Sequence, residues 1–194
     1  MLFHHKQAAA RNTFEQWREQ WLRLVPPECR DVPITLDGQT VVAFIKIGHT
    51  VMMLQDGLLM IREFFDCCEF FQKAGFHVVW LMRCTQDVEN GYLKLLSENG
   101  RRCRWLWRSP TTNFGRWTGD SRNATILLQY RELEDPTNIA QSNERVLQRV
   151  VWADSDRPEE MIPGRTKFNT VALPATPSEL RRWLEGEAMS KLQK

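Results

Sequence analysis

The sequence holds no C-x-x-C spacing, no internal repeat, no low-complexity tract, and no apolar run of membrane-spanning length. It also lacks a strong excess of either charge, and each absence excludes something. A membrane helix needs about 20 consecutive apolar residues. The N-terminal stretch MLFHHKQAAARNTFEQW lacks the apolar centre of a secretory signal and passes straight into amphipathic charge. The expectation is therefore a soluble, cytoplasmic protein with no membrane partner. A formal net charge of +2 over 194 residues excludes a chain that is polybasic throughout. Any nucleic-acid surface must come from local clustering of basic residues. The five cysteines, Cys29, Cys67, Cys68, Cys84 and Cys103, are an odd number. Adjacent Cys67 and Cys68 have poor geometry for a shared disulfide or metal, so reduced thiols are expected. His4, His5, His49 and His77 are too scattered to suggest a ligand set.

The length suits one domain with room for a small C-terminal appendage; such a chain buries about 70% of its unfolded surface without staples. Phe14, Trp17, Trp21 and Leu24 recur at helical spacing, predicting a helix over 3–24 that ends at the prolines of PPECRD. Strands are predicted at 32–36, 40–47 and 50–55, with the DG pair at 37–38 as a hairpin turn. Nearly every position of 40–47 and 50–55 is apolar, which implies cover on both faces. A helix follows over 58–74, closed by Gly75, and then a buried strand over 76–83. A strand–helix–strand crossover usually pairs its strands in parallel. Further strands are expected at 101–109, 123–130 and 145–153. A proline-bearing linker and a final helix capped by Ser178 complete the chain.

Helix, β-meander, helix and strand form the core of the restriction-endonuclease-like, PD-(D/E)xK fold. The fragments QWREQW, RDV, VVAFI, HTVMMLQDGLL, CEFFQKAGFHVVWLM and WLWRSP occur in the order expected of CoiA-like competence-protein nucleases. Over residues 10–155 the chain resembles that family. Its pattern runs Trp-His-x-x-Trp-Lys, Arg-Glu-Val, His-x-Ala-Asp-Ile, Val-Ile-Glu-x-Gln-x-Ser, Arg-x-x-Phe-Tyr and Val-x-Trp. Trp17 and Trp21 match its tryptophans, with Arg18 at the histidine and Leu22 at the lysine. Arg30, Asp31 and Val32 match Arg-Glu-Val. Ala43 and Ile45 flank the metal-binding aspartate, which here is Phe44. Val51 and Gln55 flank the catalytic glutamate, which here is Met53, and Gly57 replaces the serine. Glu69, Phe70 and Phe71 match the helix, and Val79 and Trp80 match the last strand.

The resemblance implies an α/β fold with a degenerate active site and a β-rich C-terminal extension. It divides the chain into a nuclease-like core (1–100), the extension packed on it (101–155), and a linker with the final helix (156–194). Phosphodiester cleavage in such a fold needs Mg²⁺ to activate water and neutralise charge. Mg²⁺ takes oxygen ligands, chiefly carboxylates and water. Phe44 offers none, and Met53 offers a mismatched soft thioether. No cofactor is expected unless the acids have moved. Lys46, Asp56 and Glu63 are the nearest alternative active set, for a Mg²⁺-dependent DNA endonuclease. Apolar hairpins are also common without any lost site.

The segment GRRCRWLWRSP carries the binding hypothesis. Alternation puts Cys103, Trp105 and Trp107 on one face and Arg102, Arg104 and Arg108 on the other. Arg101 precedes them, and Arg116, Trp117 and Arg122 follow in a polar loop. Between 101 and 122 the one acid is Asp120. Arginines contact phosphates and an exposed tryptophan stacks on bases. The same pattern also fits core tryptophans beneath a solvated arginine face. The expected function is a non-cleaving, nucleic-acid-binding or scaffolding subunit for DNA uptake, mobile elements or defence. Its partner would be nucleic acid, DNA before RNA, or a DNA-bound protein. A purely structural subunit is the third reading.

Overall fold

The computed structural model describes residues 14–57, 61–108, 124–151, 161–162 and 165–192. Helix α1 (14–22) leads into a meander of three antiparallel strands, β1 (Arg30–Leu36), β2 (Gln39–Ile47) and β3 (Thr50–Asp56). The β1–β2 turn is Asp37–Gly38, with φ of 49° and 80°. Two consecutive positive φ values suit a tight hairpin, and Asp and Gly tolerate them best. Helix α2 (Ile61–Lys73) crosses to β4 (His77–Arg83), which pairs with β3 in parallel. Gly75, at φ 84°, ends the crossover helix in the left-handed conformation that side chains disfavour.

A short helix α3 (Thr85–Glu89) then precedes the hairpin of β5 (Leu93–Asn99) and β6 (Arg102–Trp107). The remaining elements are β7 (Ala124–Gln129), β8 (Leu147–Val151), β9 (Met161–Ile162), β10 (Arg165–Ala172) and α4 (Leu180–Leu192). One mixed sheet takes all these strands in the order β1-β2-β3-β4-β7-β8-β10-β6-β5, with β9 beside β10. Only the β3–β4 and β4–β7 pairs among them are parallel.

Strands β3 and β4 are covered on both faces, whereas β1 and the start of β2 are largely exposed, so the expected two-sided cover of 40–47 holds only from Ala43 onward. On one side α2 sets Phe64, Cys68 and Phe71 against Val51, Met53, Val78, Trp80 and Met82. On the other, Trp17, Trp21, Leu180 and Leu184 of α1 and α4 lie with Ile45, Met52, Leu54, Val79 and Leu81. This explains the near-continuous apolar runs of β3 and β4. Burying one such large side chain contributes about 1.5–3 kcal/mol.

Several expectations need correction. Segment 156–194 is not a linker before a helix, because β10 runs through it and lies between β8 and β6. Polar Lys167, Asn169 and Thr170 dilute its hydrophobic signal, although its β-branched residues and alternation suit a strand. Strand β5 is a second addition. Ser178 is not the cap of the last helix: Thr176 and Glu179 form a reciprocal capping box at the 3₁₀ turn leading into α4. No helix among the described residues is long and apolar enough to cross a membrane.

Candidate functional site

The strand faces follow side-chain alternation except at Phe44. Val41 and Ala43 pack towards α2, whereas Ile45 and Ile47 pack towards α1 and α4. Phe44, between them, touches both clusters. Opposite this break, Asp31 takes a positive φ of 49°, and the β2–β3 pairing starts only at Ile45 and Met52. A left-handed residue within a strand rotates the local ladder, which accounts for the change of face.

Arg18 of α1 lies over this break. Its guanidinium sits 5.1 Å from the centre of the Phe44 ring and pairs with Asp31 and Glu15. Arg18 and Phe44 therefore meet. Met53 does not join them: it is buried on the α2 side. Gln55, half-buried, donates to the Asp56 carbonyl at 3.3 Å. These residues do not fit a Mg²⁺ ion, since Phe44 supplies no ligand, Met53 supplies sulfur, and Arg18 adds a fixed positive charge.

The alternative set is separated as well. Lys46 stands opposite Val51 and lies 5.5 Å from the Phe76 ring centre. Asp56 is five residues farther along β3, about 17 Å away in an extended strand. Glu63 falls in the first turn of α2, and its side chain is outside what the structure describes.

A polar network occupies the carboxyl ends of the parallel strands. Arg83, at the end of β4, lies 2.7 Å from Glu132 and 3.6 Å from Asp56. Thr85 donates to the same Glu132 oxygen at 2.8 Å. Trp17 Nε1 donates to buried Gln129 at the end of β7 at 2.8 Å, and Arg83 lies 5.9 Å from the Trp17 ring centre. Burial raises the Asp56 carboxyl above its ordinary range; Arg83 opposes this and Glu132 adds to it. Burial and Asp56 likewise raise Asp87. The carboxyl edge of a parallel sheet is a common ligand position, and that rule could have pointed to Arg83 and Gln129. Glu132 carries no comparable sequence signal. Among the described residues, no group of three His, Cys, Asp or Glu side chains is placed to hold a metal.

Cys67 and Cys68 are unsuited to nucleophilic chemistry. Burial, reinforced by Cys68, pushes the Cys67 thiol up to about 12, and burial pushes Cys68 up to about 11. Cys68 also accepts from Trp80 Nε1 at 3.2 Å. A thiol must ionise to react readily, and these remain protonated at neutral pH.

On β6 the two side-chain sets separate as alternation requires. Cys103, Trp105 and Trp107 are buried, whereas Arg102 and Arg108 are exposed and Arg104 is half-buried. Trp105 Nε1 donates to Thr170 Oγ1 at 2.9 Å, and that hydroxyl donates to Gln148 at 2.9 Å. The tryptophan is thus fixed in the core. Arg101 is exposed beside the turn. Arg116, Trp117 and Arg122 lie outside the described residues.

Pairing extends the arginine face across the neighbouring strands. Leu106 stands opposite Lys94 on β5 and Lys167 on β10. Arg104 stands opposite Asn169 and Ser97, and Arg102 opposite Val171 and Asn99. Val171 in turn stands opposite Arg149 on β8. Directly opposed residues project to the same face. Lys94, Arg149 and Lys167 thereby join the β6 arginines, a grouping visible only once the register is known. Comparison of the chain with protein-family models, curated proteins and solved structures finds no match.

Proposed function

We propose that this protein is a non-cleaving, nucleic-acid-binding subunit built on a nuclease-like α/β scaffold. The observation that carries the binding reading is the arginine-bearing face of β6, with Arg102 and Arg108 exposed over a tryptophan-filled core. Arginine and lysine supply the phosphate contacts that dominate nucleic-acid affinity. The non-cleaving part rests on the resemblance to CoiA-like nucleases and on the residues at its acidic positions. Phe44 carries a guanidinium over its ring, and Met53 is a core side chain. Neither can hold Mg²⁺ or activate water for it.

The test uses the purified 194-residue chain with labelled single- and double-stranded DNA. Salt-sensitive binding without cleavage in Mg²⁺ or Mn²⁺ is the expected result. Binding unchanged by Arg102→Ala together with Arg104→Ala would reject the assigned surface. Cleavage by pure protein, lost on Asp56→Ala, would replace this reading with the relocated-nuclease alternative. Phe44→Asp with Met53→Glu tests the alignment from the other side, since Mg²⁺ binding gained by that pair would support an ancestral metal site.

A further inference from the structure

The β8–β10–β6–β5 face differs from the rest of the sheet in what it carries. Its described strand positions present Arg149, Val151, Lys167, Asn169, Val171, Arg102, Arg104, Leu106, Lys94, Ser97 and Asn99. Five of these side chains are cationic, and none is acidic or aromatic. Lys94, Lys167 and Arg102 are exposed, while Arg104 and Arg149 are half-buried. The acid of β5, Glu98, stands opposite Cys103 and so projects to the other face.

Neighbouring strands lie about 4.8 Å apart, so the four strands spread their cations over about 14 Å. Same-face residues on one strand recur every ~7 Å. The charges therefore form a patch rather than a point. The amides of Asn99 and Asn169 and the hydroxyl of Ser97 add neutral hydrogen-bonding groups within it. A stacking platform for unpaired bases would need aromatic side chains. Here the β6 tryptophans face the core. Protein-interface hot spots likewise favour aromatic anchors, which these positions lack.

We propose that this face is one continuous site for the phosphate backbone of nucleic acid, engaged without regard to base sequence. The proposal rests on the nucleic-acid-binding reading and names its ligand chemistry. Cations from different strands would contact successive phosphates, with the asparagines and Ser97 hydrogen-bonding phosphate or sugar oxygens between them. At one charge per 3.4 Å of each strand, a patch of ~14 Å covers about four phosphates. Neutralising four phosphates gives a log–log salt slope of about −3.6 on duplex and about −2.8 on a single strand.

Fluorescence anisotropy with labelled duplexes of unrelated sequence, and with their separated strands, tests this. Wild-type protein should bind all duplexes within about threefold of one another, losing roughly 100-fold in affinity between 50 and 200 mM salt. The slope per phosphate distinguishes a duplex source from a single-stranded one. Lys94→Glu with Lys167→Glu should weaken binding roughly 50-fold at 0.1 M salt and make the slope shallower by about two. Both positions are exposed, and an unchanged thermal midpoint would show that the fold is intact.

If the double lysine variant binds like wild type while Arg102→Ala with Arg104→Ala does not, the site is confined to β6. The extended site then fails and the binding reading survives. A tenfold preference for one duplex sequence would overturn backbone-only recognition. Equal binding of polyglutamate would reassign the face to acidic protein partners. No binding of wild-type protein to any nucleic acid would sink the underlying reading itself.

Discussion

The two halves of the sheet solve different burial problems. Strands β3 and β4 lie between α2 on one side and α1 with α4 on the other, and they are buried along almost their whole length. Strands β6 and β10 bury alternate residues beneath a polar, basic face. Strands β3 and β4 therefore spend both faces on stability, while β6 and β10 keep one face partly exposed to solvent. Arg30, Lys46 and Arg83 are exceptions at the rims of the first half. The basic residues are not spread evenly, because position in the sheet decides which ones remain accessible.

The largest expected contrast lies within β6 itself. Trp105→Ala removes a buried ring and its hydrogen bond to Thr170. It should destabilise the fold by about 3–5 kcal/mol in denaturant unfolding. A loss below about 1 kcal/mol would show that the Trp105 side of β6 is not a true core. Fluorescence-detected urea unfolding would measure the change, with circular dichroism checking that one cooperative transition remains.

A smaller effect is expected where the fully covered half meets solvent. Arg83→Ala leaves Asp56 and Glu132 without their shared guanidinium. Solvent screening reduces the value of this partly exposed network, so a loss of about 1–2 kcal/mol is expected. If Arg83→Ala equals wild type in stability, the network does not fasten α1 and the post-β7 loop to the sheet.

The pH dependence provides a finer test of that edge. Asp56 and Asp87 both have folded pKa values raised chiefly by burial. A raised carboxyl pKa means that the folded state binds a proton more tightly than the unfolded state. Its stabilising contribution is present below the unfolded value near 3.8 and is lost as pH rises through the folded value. Asp56→Asn should therefore flatten the loss of stability with rising pH in that window. Thermal melts across the acidic range measure it, and an unchanged profile would remove Asp56 from the account. The opposing trend from ordinary paired carboxylates cancels in the difference between variant and wild type.

Much of the first half was legible because its signals were strong and local. The DG turn, the apolar runs of β2 and β3 and the helix-closing Gly75 predict their elements directly. The Trp–Arg alternation of β6 likewise separates two faces, although the sequence alone leaves open which of them is core. The carboxyl-edge network was not legible, since it joins Trp17, Asp56, Arg83, Gln129 and Glu132 through strand order. Arg149 and Lys167 were missed for the same reason, because β10 reaches β6 only after a long excursion in sequence, and Lys94 was missed because strand β5 was not predicted. Phe44 shows the limit of alternation itself, because one left-handed residue opposite it redirects the strand. A local pattern specifies a face, but a shared face across distant strands requires the register.

The smallest expected stability effect makes the sharpest test of the two-halves comparison. Arg102 is exposed on the open face and stands opposite Val171 and Asn99, while buried Cys103 and Trp105 point the other way. Arg102→Ala should change folding stability by no more than about 0.5 kcal/mol. It should nevertheless weaken nucleic-acid binding and make the salt slope shallower by about one. Chemical unfolding and anisotropy titration, performed on the same preparation, separate the two consequences. A stability loss as large as that of Trp105→Ala would make the arginine face structural. Unchanged binding with unchanged stability would leave Arg102 as a solvated surface charge. Weaker binding on an intact fold would show that the uncovered half of the sheet has a role distinct from holding the protein together.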